Sequence, residues 1–119
     1  MTEPVRIRLQ RRKGFDLQAI SRALNGLPAK PVTRPGRWGN PFAIAAMAEQ
    51  YGLEPQLAQA RAIETYGLWV AGKLDPRLSP GRPPDRAAII AELGGKNLAC
   101  WCRPGEPCHA DILIGLANP

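Results

Sequence analysis

The chain has 119 residues, 45% hydrophobic and 22% charged, with 12 glycines and 13 prolines. That length supports one domain with its own core and excludes a large two-domain enzyme, while the glycine and proline content predicts long ordered loops. The formal net charge is +6, and it is unevenly placed. Residues 1–40 hold nine Lys/Arg against Glu3 and Asp16, a balance of +7, so residues 41–119 sum to −1. A basic N-terminal third is the electrostatic footprint of a phosphate-bearing partner. No run of about 18 uncharged apolar residues occurs, and the first residues carry no apolar stretch of the signal-peptide kind, so a cytoplasmic protein with no membrane partner is expected. All three cysteines fall between Cys100 and Cys108. That pattern argues against a disulfide scaffold and leaves reduced thiols or a metal.

In chain order, Val5, Ile7 and Leu9 alternate with Arg6, Arg8 and Gln10, the period-two pattern of a strand with one cationic face, best placed at a sheet edge. Asp16 can cap a short helix carrying Leu17, Ile20 and Leu24. Residues 30–33 read as a brief strand, and residues 34–42, with two prolines and two glycines, as a loop. Asn40 then offers a cap and Pro41 a first helical position for a helix running to Tyr51-Gly52. A second helix is expected over residues 55–71, ended by Gly72, followed by a proline-rich crossing loop over residues 75–84. Residues 85–93 read as a third helix, residues 97–102 as a short apolar strand, and residues 108–116 as a closing helix. The sum is a small single α/β domain with a short central sheet and flanking helices: a basic segment 1–40, a helical middle 41–93, and a Cys/His strand-loop-helix over 97–117.

Two segments carry chemistry. In Cys100-Trp-Cys102-Arg-Pro-Gly-Glu-Pro-Cys108-His109-Ala-Asp111, an extended backbone aims residues 100 and 102 to one side and Trp101 to the other. Cys108 and His109 then open a helix, where free N–H groups and the helix dipole favour thiolate. Three readings stay open. Cys100, Cys102, Cys108 and His109 have the ligand types and number for zinc, although Cys-x-Cys is not the usual knuckle spacing. Alternatively Cys108 or Cys102 is a nucleophile, Cys108 then being partly exposed, or His109 and Asp111 form an acid/base pair. Or the cysteines are small core residues and His109 ties backbone groups together. The second segment is Trp38-Gly-Asn40-Pro-Phe42. Turn, cap and core explain it structurally, but Arg34 and Arg37 beside an exposed Trp38 also suit a base stacked over phosphate.

These motifs, Gln10 to Gly14, Arg34 to Phe42, Leu93 to Cys102 and Pro107 to Asp111, resemble those of a family of small bacterial and phage proteins known only as a domain of unknown function, number 4326. The resemblance spans nearly the whole chain, with residues 15–30 longer than the family's usual connection. It implies no established activity, and its phage occurrence favours a nucleotide or nucleic-acid partner.

The leading expectation is a protein that binds a nucleotide or nucleic acid through Arg34, Arg37, Trp38 and Asn40 and acts on it through Cys108, His109 and Asp111. A non-enzymatic zinc-stabilised nucleic-acid-binding module, using Cys100, Cys102, Cys108 and His109, is the alternative. An adaptor for an acidic protein partner is the third. Because α/β folds gather helix N-termini at one sheet edge, both segments are expected to line one pocket.

Overall fold

The computed structural model describes residues 2–119. Its elements run β1 (Arg6–Arg8), α1 (Leu17–Asn25), β2 (Ala29–Pro31), α2 (Ile44–Tyr51), α3 (Pro55–Val70), a 3-10 turn (Pro76–Leu78), α4 (Arg86–Leu93), β3 (Asn97–Cys100) and α5 (His109–Ala117). The sheet is parallel with order β1-β3-β2, which puts β1 at an edge and β3 in the centre. The small α/β architecture read from the sequence is the one observed.

The central strand is buried along its whole length, as expected where helices cover both faces of a parallel sheet. Its side chains alternate. Leu98 and Cys100 enter the main core with Tyr66, Ile89, Leu93 and Leu113, while Ala99 faces a smaller core with Ile7 and Ala29, closed by Leu17 of α1. A third cluster, Met47, Ala58 and Ala62, joins α2 to α3. The long residues 15–30 connection therefore forms a helix that covers the sheet. Asp16 caps it as expected, accepting from Ala19 N–H at 3.1 Å. Gln18 exchanges two hydrogen bonds with the Ala29 backbone, at 2.8 and 2.9 Å. Asn97 donates to Ser21 Oγ at 2.7 Å, so a buried polar contact ties α1 to the central strand.

Several boundaries differ from the sequence reading: the strand expected over residues 97–102 ends at Cys100, the strand expected over residues 30–33 runs Ala29–Pro31, and the start of α2 moves. The helix expected from Pro41 begins at Ile44, after an extended Ala43. Asn40 does not cap it: Asn40 Oδ1 accepts from the Phe42 N–H at 2.8 Å in an Asx turn, and its amide donates to Ala62 O at 3.3 Å. This local bond satisfies Phe42 early and lets its ring meet Trp69 edge-on at 5.9 Å.

Candidate functional site

β3 delivers Cys100 at its carboxyl end, and α5 begins at His109 with Cys108 extended before it, at φ −150° and ψ 141°. The turn between them closes on itself: Glu106 N–H donates to Arg103 O at 3.1 Å and Arg103 N–H to Glu106 Oε1 at 2.7 Å. Arg6 reaches across from β1 and holds it. Its guanidinium donates to Glu106 O at 2.8 Å, Arg103 O at 3.1 Å and Asp111 Oδ2 at 2.9 Å.

Held in this way, the sulfurs of Cys100, Cys102 and Cys108 all lie within 4.8 Å of one another. Cys100 Sγ and Cys108 Sγ are 3.2 Å apart, close enough to share a proton. Hydrogen bonds from the Cys100 and Cys102 thiols hold Cys108 well below the ordinary thiol range, against the cost of burial and with a smaller contribution from His109. Cys102 is pushed up, first by its bond to Cys100, then by its bond to Cys108 and by burial. Cys100 is raised as well: its bond with Cys102 favours the thiolate, but its bond with Cys108 and burial outweigh that. Three such thiols are a ligand set for a soft or borderline cation. The cluster can hold a metal ion.

His109 is not one of the three mutually close ligands, but its Nδ1 reaches the edge of the group at 3.9 Å from Cys108 Sγ. Its Nε2 lies 2.7 Å from Val32 O and 3.1 Å from Trp38 O. Both are acceptors, so Nε2 carries a proton and Nδ1 turns toward Cys108 Sγ at 3.9 Å. His109 thus pins the end of β2 and the Trp38 turn to the start of α5. Nor does Asp111 pair with His109, because it faces solvent and binds Arg6. Cys108 is only 1% exposed, not the partly exposed nucleophile anticipated.

A cavity of about 230 Å³ opens beside the cluster. Cys100, Cys102 and His109 line it together with Arg34 and Asn40, and Trp101 stands in its wall. The two segments singled out in the sequence therefore do meet. Gly39 makes that possible: a Cβ there would lie 2.6 Å from Arg34 N and 2.7 Å from Arg34 Cα, so only glycine lets the turn fold back on Arg34. Arg37 and Trp38 lie elsewhere. Trp38 is 4% exposed, donates its indole N–H to Glu92 Oε2 at 3.1 Å, and is covered by Arg37, itself paired with Glu92 at 2.9 Å. The cavity wall has two aromatic side chains, the half-buried Phe42 and Trp101, of which Trp101 is exposed and flanked by Arg11. Its place between two inward-facing cysteines is the sequence signal for an outward-facing ring.

The fold and the site define a small α/β protein whose thiol cluster borders a cavity with a cationic wall. The family described as "Domain of unknown function (DUF4326)" matches residues 10–119, and the chain belongs to it. No curated protein and no solved structure matches. Among the described residues, no helix is long and apolar enough to cross a membrane.

Proposed function

We propose that the protein binds a nucleotide or nucleic acid in the cavity lined by Arg34 and Asn40, and that Cys100, Cys102 and Cys108 hold a zinc ion beside it. The observation that carries this reading is that two of the three clustered thiols also line the cavity with Arg34. Electrostatics favours a metal over a bare thiolate. A buried anion on Cys108 is costly unless compensated, and a divalent cation among three sulfurs compensates it directly. The three sulfurs leave one position of a tetrahedral zinc for water or substrate, or for His109 Nδ1, whose ring donates its other N–H to backbone carbonyls as a metal-ligating imidazole does. A cavity of about 230 Å³ suits a base or sugar more than a large cofactor, and Arg34 suits phosphate.

The test uses cobalt(II) in place of zinc and a panel of nucleoside monophosphates. A sulfur-to-cobalt band should appear, shift when a nucleotide enters the cavity, and stop shifting in Arg34→Ala while the band itself persists. A band that no nucleotide perturbs contradicts a ligand at the metal and supports the second reading, a purely structural zinc in a nucleic-acid-binding module. The near-complete burial of Cys100 and Cys108 favours that second reading.

A further inference from the structure

We infer that Trp101 is a base-stacking platform and that the ligand is a single-stranded nucleic acid whose phosphates follow Arg8, Arg11 and Arg12. The inference rests on the reading of the thiol cavity as a nucleotide site and names the substrate class. The parallel register sets Arg8 opposite Cys100, and Leu9 N–H donates to Cys100 O at 2.8 Å. The chain after β1 therefore runs alongside Trp101. Arg8, Arg11 and Arg12 line a second cavity of about 450 Å³ there, and Trp101 stands in the walls of both. The two spaces share one indole.

Charge complementarity selects the occupant. No acidic side chain lines either cavity. Among the described residues, Arg8, Arg11, Arg12 and Arg34 form no ion pair, whereas Arg6, Arg37 and Arg77 do. Trp101 is 48% exposed, with the Arg11 guanidinium 5.1 Å from its ring centroid. An exposed indole among unpaired cations matches an unstacked base joined to phosphates, the combination that single-strand binders use without reading sequence. A mononucleotide would fill one cavity and leave the other cations idle. A duplex would keep its bases stacked away from the ring.

The experiment measures anisotropy of a fluorescein-labelled oligothymidylate of about ten nucleotides at about 50 mM salt, with unlabelled dTMP as competitor. The oligomer should bind at least about tenfold more tightly than dTMP. Trp101→Ala should weaken it about 5- to 150-fold, and Trp101→Phe should restore most of the loss. Replacing Arg8, Arg11 and Arg12 by Gln should lower the slope of log affinity against log salt by about 2. Thermal melting of each variant confirms that the fold is kept. An oligomer no tighter than dTMP, or a Trp101→Ala protein that binds like the wild type, overturns the inference. If dTMP then still binds in an Arg34-dependent way, the nucleotide site survives. If neither probe binds, both readings fall.

Discussion

Arg6 is the residue on which the geometry of the thiol loop turns, since one guanidinium satisfies two carbonyls and a carboxylate on the far side of the sheet edge. Its side chain is 13% exposed, so truncation leaves those carbonyls partly desolvated. Arg6→Ala should cost about 1–3 kcal/mol of stability and weaken metal binding, read by thermal melting and zinc competition. Gly39 acts at the other wall. Gly39→Ala must push the Arg34 backbone aside, at about 1–3 kcal/mol, and should reduce Arg34-dependent ligand binding more than metal content. The thiols themselves set the pH response. Cys108 is held low while Cys100 and Cys102 are raised, so at neutral pH two protons must leave when zinc binds. Zinc affinity should therefore fall as pH drops, by nearly 100-fold per pH unit between about pH 6 and 8, in chelator competition. A pH-independent affinity would mean the thiols are not the ligands.

At the scale of elements, what was legible and what was not divides along a physical line. The edge strand, the Asp16 cap, the nearness of the Cys100 and Cys102 thiols, and α5 are legible in period and local chemistry, and the structure has them, although the strand itself stops at Cys100. The start of α2 does not, because an Asx turn at Asn40 competes with the N-cap that the same residue could form. Trp38 does not either. Its neighbouring arginine and glycine read as surface, yet its indole finds a carboxylate on α4, a partner 54 positions away that no local pattern can indicate. Trp38, read from the sequence as exposed, is a core residue, and the exposed ring is Trp101. Trp38→Ala should cost about 3–5 kcal/mol as a core cavity, whereas Trp101→Ala should leave the melting temperature nearly unchanged. Comparable losses at both positions would contradict this division.

At the scale of the whole molecule, the parallel sheet brings together segments far apart in the chain. β1 supplies Arg6 to brace the thiol loop and Arg8 to begin a cationic track, β2 leads into the turn bearing Arg34 and Asn40, and β3 ends at the first cysteine. Of the basic residues in 1–40, Arg34 lines the cavity next to the thiols and Arg8, Arg11 and Arg12 line the neighbouring one, while Arg37 turns away to Glu92. His109 locks this arrangement by binding Val32 and Trp38 carbonyls from the first turn of α5. A metal on the three sulfurs would fasten β3 to α5 across the same point, so its loss should loosen the cavity wall as well as the thiol loop. Elemental analysis of protein purified without added metal tests this most directly. About one zinc per chain is predicted, lost in Cys108→Ser together with a marked drop in melting temperature. A metal-free chain whose three thiols all titrate, and whose melting temperature does not move when zinc is added, would contradict it.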